Sequence, residues 1–409
     1  MSSLMISATV WENRLMARVE GGSQMDDERA ARKNYLFPAV FVCLTALSAG
    51  CASSGKEPAE GEMSGANENV SFMTVAELMQ EPKLDAHAHF MALAVEDEEK
   101  FIAKLNEHNM QWLSLCTVGT NWFDLRQQIG LAERLHSRYA NRVEWAVSFN
   151  LENWNSPDWE KQAIKTIDEG IEHGAVAVKV WKEFGMVLKD PEGGYVMIDD
   201  PRLDPVLDYI RSKGLTLTAH IGEPYNCWQP LESMSNQRSR DYYGENPRYH
   251  GYIHPEIPGY WEQIASRDRM LEKHPDLRVV GAHLGSLEWD LNELSLRLDR
   301  YPNFAVDLAE RIYNLQEHGR EKVRDFMIKY QDRLLYGTDL VSGWGENGVD
   351  GDLGKLDNTY LSDYRYFASD EEIGVPWISE SSRVQGLKLP AAVLKKVFYR
   401  NAKTWYPGI

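Results

Sequence analysis

Residues 84–90 read Leu-Asp-Ala-His-Ala-His-Phe, an apolar run that holds two histidines two positions apart. In a β-strand the side-chain period is two, so His87 and His89 turn to the same side, where two neutral imidazoles can share one cation. Alone, such a pair fits a surface or core arrangement equally well. Its meaning depends on the remainder of the chain.

Seven further short, β-rich runs succeed it: 111–119, 143–150, 175–181, 215–221, 277–283, 304–308 and 334–340. Between them lie segments such as 97–108, 158–173, 202–213 and 287–300, whose apolar residues recur near helical spacing. Strand alternating with helix predicts parallel pairing through helical crossovers, and roughly 260 residues from first strand to eighth suit one α/β (β/α)8 TIM barrel. A doubly wound sheet is the structural alternative. The barrel is favoured because the chemistry-bearing residues stand at the carboxyl ends of the runs, the face on which such barrels build active sites. His220 closes one run, His283 the next, and Asp339 sits in Tyr-Gly-Thr-Asp near the end of the last.

Two histidines on strand one, one each on strands five and six, and an aspartate on strand eight resemble the amidohydrolase superfamily. The stretches Gly281-Ala-His-Leu-Gly-Ser-Leu-Glu-Trp289, Tyr336-Gly-Thr-Asp339 and Tyr399-Arg-Asn-Ala402 are similar to its amidohydrolase-related group, over about Lys83 to Gly408. The resemblance implies that His87, His89, His220 and Asp339 hold or flank one divalent metal. Zinc is the first expectation, with manganese and iron accepting the same ligands. It implies further that Asp339 handles the proton of an attacking water and that His283 orients or stabilises the reacting group. Lys179, near the end of strand four, stands where binuclear members carry a carboxylated lysine bridging two metals. In a single-metal site its ammonium would instead face substrate or a structural carboxylate.

The resemblance leads to a metal-dependent hydrolase acting on an ester, lactone or amide of a small molecule. A metal-dependent decarboxylase of an aromatic or unsaturated acid is the alternative within the family, and a non-catalytic envelope binding protein is the alternative outside it. Release of an acid with an alcohol or amine, release of CO2, or tight binding without turnover would separate the three.

Several residues are candidates for the pocket wall. The segment 223–261 inserts between strands five and six, and its tyrosines and tryptophans argue for an ordered lid over the catalytic face. Trp181 closes strand four, Glu223 follows strand five, and both are candidate substrate contacts. Arg311, shortly after strand seven, could grip an anionic substrate group in bidentate fashion or pair with a loop carboxylate such as Glu310. His250 and His254 read as loop packing or substrate contacts. The loop 342–366, with Trp344 and Tyr364, would complete the mouth.

Outside the barrel the chain reads as targeting. Arg29, Arg32 and Lys33 precede the apolar run 35–47, which ends in Ser-Ala-Gly-Cys51. That is the layout of a secretory signal, too short for a comfortable membrane span, and its end resembles a bacterial lipobox. Residues 1–50 are then a leader, with Met25 the more ordinary start, and Cys51 becomes the lipidated residue. Residues 51–70 form a flexible linker poor in large apolar side chains, and 71–409 form the barrel domain. The expected location is the bacterial envelope, at the outer membrane or periplasm, with membrane contact through the lipid alone.

Bulk properties fit this outline. With 409 residues and 43% hydrophobic content the chain can bury one large barrel or two average domains. A formal charge of −18 argues against nucleic-acid binding and says little about a small-molecule substrate. The four cysteines, Cys43, Cys51, Cys116 and Cys227, form neither a zinc-finger framework nor a disulfide scaffold. Cys116 reads as core. A homodimer is the ordinary expectation for an enzyme of this size.

Overall fold

The computed structural model describes residues 70–118, 124–343 and 347–409. The leader, Met25, Cys51, the linker before Val70, Gly119 and Trp344 lie outside the described residues. Among the described residues no helix is long and apolar enough to cross a membrane.

Nine strand segments run in one parallel sheet: β1 (Lys83–Phe90), β2 (Met110–Leu115), β3 (Val143–Val147), β4 (Ala177–Val180), β5 (Thr216–Ala219), β6 (Arg278–Gly281), β7 (Phe304–Asp307), β8 (Leu334–Leu335) and β9 (Leu340–Ser342). Their order is β8-β7-β6-β5-β4-β3-β2-β1-β9. β8 pairs with β7 while β9 pairs with β1, so the two short pieces are halves of one eighth strand that closes a (β/α)8 barrel. The seam is held where the Ala86 N–H donates to the Tyr336 carbonyl at 2.9 Å.

The eighth strand expected over 334–340 is therefore broken. Asp339 has φ of 62° and leaves extended geometry. The N–H groups of Thr338 and Asp339 both turn to the His87 carbonyl, at 3.3 and 2.7 Å, instead of continuing the ladder. Gly337 is required here because a Cβ would stand 3.0 Å from that of His87. β1 ends at Phe90 as expected, and the other six form but end one to four residues early, as the chain turns out toward the catalytic face.

Alternation along the strands divides the core in two. Leu84, Ala86, Leu113, Leu115, Ala146, Ala177, Val280, Ala305 and Leu335 pack together with Trp405 and Tyr406 from the C-terminal helix region. The opposite strand faces, with Trp112, Trp145, Val178 and Leu217, pack against the surrounding helices. The C-terminus closes the amino-terminal end of the barrel, where Thr218 Oγ1 meets the Tyr406 hydroxyl at 2.9 Å. Asn401 Nδ2 donates to the carbonyls of Gln331 and Leu334 at 2.6 and 2.7 Å, which gives the 399–402 motif a structural function. In β1 the pairing to β2 gains one residue between Asp85 and Ala88. Such a bulge re-aims the residues beyond it. Here those residues are His87 and His89.

The helices Val95–Glu107, Trp159–Glu172, Asp204–Ser212 and Leu291–Arg300 match four expected segments, the last starting four residues later than expected. The insertion is ordered: short turns surround the helix Gln237–Glu245 over a small core of Cys227, Met234 and Tyr243. Ser235 and Asn236 hydrogen-bond Glu317 at 2.7 and 2.5 Å, and Arg238 pairs with Glu310 at 2.6 Å, tying the insertion to the loop after β7. Tyr364 does not line the mouth. The helix Gly348–Ala368 turns Tyr360, Tyr364 and Phe367 inward at helical spacing, and all three are fully buried.

Candidate metal centre

The carboxyl ends of the strands bring together four histidines, two aspartates and a lysine. Three imidazoles are fixed through Nδ1. His87 donates to Asp307 Oδ2 at 2.8 Å, His89 to the Leu115 carbonyl at 2.7 Å, and His283 to the Ala309 carbonyl at 2.9 Å. Each acceptor holds the proton on Nδ1 and leaves the Nε2 lone pair aimed inward, the arrangement by which outer partners orient metal-binding imidazoles. Around those Nε2 atoms stands Asp339. Its Oδ1 lies 3.0 Å from His89 Nε2 and 3.5 Å from His87 Nε2, and its Oδ2 lies 3.9 Å from His283 Nε2. Ligand atoms of His87, His283 and Asp339 all fall within 4.8 Å of one another.

His220 stands one ring further, its centroid 4.4 Å from that of His283, and its Nε2 is buried without a hydrogen-bond partner. Lys179 is buried with Nζ 3.4 Å from His87 Nε2. It faces an imidazole and has no carboxylate within ion-pair distance among the described residues. Burial pulls its ammonium down to about 8, partly offset by Asp307 and Asp339.

The protonation states suit a cation. Burial holds His283 down at about 3 and His220 well below the usual imidazole range, and it lowers His87 as well. For Asp339 burial acts upward, but the surrounding His87, His89 and His283 outweigh it and hold the carboxyl well below its ordinary value. Neutral imidazoles beside an ionised carboxylate are the forms that bind a metal. With its proton on Nδ1, His283 presents a lone pair, which equips it as a ligand or proton acceptor rather than as a hydrogen-bond donor to an oxyanion.

Two functional neighbours are not evident from the sequence. Asp307, at the end of β7, is fully buried; besides His87 it receives the backbone N–H groups of His283 at 2.8 Å and Ala309 at 3.1 Å. A charged residue closing an apolar strand was the available signal. Asp85 receives the N–H groups of His87 and Thr338 at 3.2 and 3.0 Å, the Thr338 hydroxyl at 2.5 Å and the Tyr360 hydroxyl at 3.1 Å. It thereby fastens the turn before Asp339 to β1.

The backbone at the site is strained. His283, Leu284, Gly285 and Ser286 all have φ between 56° and 61°. A left-handed backbone costs roughly 1–2 kcal/mol for each non-glycine residue. The turn is held by Ser286 Oγ donating to the carbonyls of Ile221 and Gly222, by the Tyr260 hydroxyl on the Ser286 carbonyl at 2.5 Å, and by Asp307 on the His283 N–H.

Trp181 stands 6.4 Å from His220, centroid to centroid, and Lys182 lies over its ring and pairs with Glu223. Arg311 is 6% exposed and bonds the Glu310 carbonyl, while the Glu310 carboxylate is taken by Arg238. His250 and His254 serve loop packing, on the carbonyls of Gln229 and Pro247. Cys116 and Cys227 are buried, and burial raises both thiols, Cys227 to about 12.

A parallel (β/α)8 barrel with histidines and an aspartate converging at its carboxyl end defines a class of enzyme scaffold. The sequence profile of the amidohydrolases matches residues 84–408, and the chain belongs to that family. No curated protein sequence matches it. Among solved structures it is similar to a 2,6-dihydroxybenzoate decarboxylase in complex with 2,6-dihydroxybenzoate, at 13% identity over 80% of this chain and 99% of that one, with a TM-score of 0.47. It is also similar to a 5-carboxyvanillate decarboxylase from Novosphingobium aromaticivorans in complex with manganese (14% identity, 82% and 98% covered, TM-score 0.43) and a zinc-bound amidohydrolase from Burkholderia multivorans (10%, 80% and 99%, 0.41).

Proposed function

We propose that the protein is a metal-dependent hydrolase that adds water to an ester, lactone or amide carbon of a small molecule. The observation that carries this reading is the set of converging Nε2 lone pairs, each fixed by a partner on Nδ1, around one ionised carboxylate. This donor set fits a divalent ion. His87, His283 and Asp339 are the tightest group, His89 Nε2 stands 3.0 Å from Asp339 Oδ1, and His220 contributes an Nε2 beside His283 that has no hydrogen-bond partner among the described residues. Zinc is the ion we expect, and Lys179 is the residue that would bridge a second one if carboxylated.

A bound cation would lower the pKa of a water it holds and polarise the substrate's carbonyl oxygen. Asp339 supplies the base. Its side chain is 28% exposed and its carboxyl is held ionised, so an oxygen can take the proton of the attacking water and return it to the leaving group. Asp307 keeps His87 from presenting a proton to the centre, and Ala309 does the same for His283. Trp181 and the Lys182–Glu223 pair line the approach. We place the protein in the bacterial envelope, tethered through lipidated Cys51.

The test is elemental analysis of wild type and a His87→Ala/His89→Ala variant, and then a screen of esters, lactones, amides and aromatic acids. One divalent ion per chain, lost in the variant, with release of an acid and an alcohol or amine, supports the proposal. Metal-replete preparations that hold no ion would overturn it, and CO2 release would replace hydrolysis with decarboxylation.

A further inference from the structure

Arg311 stands apart among the charged residues of the catalytic face. Only 6% of it is exposed to solvent. One guanidinium hydrogen bond is formed, from Nη1 to the Glu310 carbonyl at 2.7 Å, and Nε is buried without a partner. The carboxylates whose charge it feels are Glu288, Glu310 and Glu223. Glu310 pairs with Arg238 at 2.6 Å and Glu223 with Lys182, while Glu288 receives the Tyr225 N–H on Oε1 at 2.7 Å and keeps Oε2 buried with no hydrogen-bond partner among the described residues. Tyr313, Glu288, Glu310 and Glu223 together outweigh the burial and keep Arg311 charged, but among the described residues none of these carboxylates forms an ion pair with its guanidinium.

The position of Arg311 bears on what its guanidinium serves. It lies four residues beyond the end of β7, on the loop that anchors the centre: Asp307 fixes His87, and the Ala309 carbonyl fixes His283 at 2.9 Å. Its own N–H bonds the Leu308 carbonyl at 3.1 Å, so its backbone is held to the same loop. The whole chain carries a formal charge of −18, which repels an approaching anion at long range. An anionic substrate therefore needs a local cation, and a planar guanidinium with free donors suits a carboxylate.

We propose that the substrate is an organic acid which presents to Arg311 a carboxylate separate from the bond that is broken. This rests on the hydrolase reading only for the location of the reacting carbon. Arg311 is then the specificity determinant: it selects acids over their neutral esters and fixes the distance between the recognised carboxylate and the reacting group.

The test is calorimetric titration of zinc-loaded protein with malonate, succinate, glutarate and adipate, each compared with its monomethyl ester. One carboxylate serves the metal centre and the other serves Arg311. At least one diacid is expected to bind tenfold or more tightly than its monoester. That preference should collapse to within twofold in Arg311→Gln and fall at least threefold in Arg311→Lys, which keeps the charge but not the fork. Metal content and melting temperature should stay at wild-type values, and Arg311→Lys carries the comparison if Arg311→Gln fails to fold. A preference that persists in the variants, or no diacid preferred over its monoester, overturns the proposal. Metal-free wild type separates the two readings: monoester binding indifferent to zinc removes the metal reading, whereas loss of the Arg311-dependent preference alone removes this one.

Discussion

Replacing Asp307 by Asn changes one atom of a buried carboxylate and should disarm the centre without touching a metal-binding side chain. Oδ1 of Asp307 receives two backbone N–H groups, those of His283 and Ala309, and neither can reverse its polarity. The asparagine oxygen must stay on that side. The amide NH2 then faces His87 Nδ1, 2.8 Å from the atom it replaces, and can only donate. His87 is forced into the other tautomer, with its proton on Nε2, where the lone pair is needed. Loss of such an orienting partner typically lowers metal affinity 10–100-fold, which is about 1.4–2.7 kcal/mol. The assay is zinc titration of metal-free protein against a chromophoric chelator, with imidazole nitrogen NMR reporting the His87 tautomer. An affinity within threefold of wild type in a folded Asp307→Asn protein would refute the reasoning, as would a proton still on Nδ1.

Three further outcomes are expected on the same physical grounds. Burial raises the Asp363 carboxyl to about 8, opposed by the Tyr336 hydroxyl bond at 2.8 Å. A carboxyl raised on folding contributes stability that is complete below its unfolded pKa near 4 and lost as pH rises through 8. Wild-type stability should therefore fall between about pH 4 and 8 and level off above that. Asp363→Asn keeps an acceptor for Tyr336 and should flatten the profile, gaining on the order of 4 kcal/mol over wild type at pH 7 by denaturant melts; parallel profiles would contradict this. Gly285→Ala places a methyl 2.9 Å from Arg267 Nη1 at φ of 61° and should lower stability by about 2 kcal/mol in the same melts, more than substitution of an exposed helical glycine. Cys51→Ser should move the protein from the membrane fraction to the soluble periplasmic fraction of a Gram-negative host, and an unchanged distribution would remove the lipid tether.

The part of the fold legible in sequence was the part governed by periodicity. Eight apolar runs and the helical spacing between them reflect burial on two faces, and this gave the barrel and the strand ends at which His87, His89, His220 and His283 stand. Where one strand breaks, periodicity gives no warning. The residues 334–340 read as a continuous run, yet the N–H groups of Thr338 and Asp339 turn to His87 and split it. Tyr364 shows the opposite limit: in a stretch that reads as a loop, the helical spacing of Tyr360, Tyr364 and Phe367 buries all three. Arg311 shows a third limit, because a substrate anion and a loop carboxylate are both chemically reasonable partners, and the sequence does not show that Arg238 takes the Glu310 carboxylate.

The residues that sequence reasoning missed share one physical property. Asp85 and Asp307 act on the backbone as much as on side chains, and together they hold the chain in conformations it would otherwise leave. Asp307 restrains the left-handed turn that begins at His283, and Asp85 restrains the turn that ends at Asp339, whose φ is 62°. Both turns place a residue of the candidate centre in a conformation disfavoured for L-amino acids, and such strain persists only where surrounding bonds over-determine it. A sequence shows which side chains could bind a metal. The burial of two carboxylates beneath two strained turns explains why His283 and Asp339, from strands far apart in the chain, stand within 4.8 Å of His87.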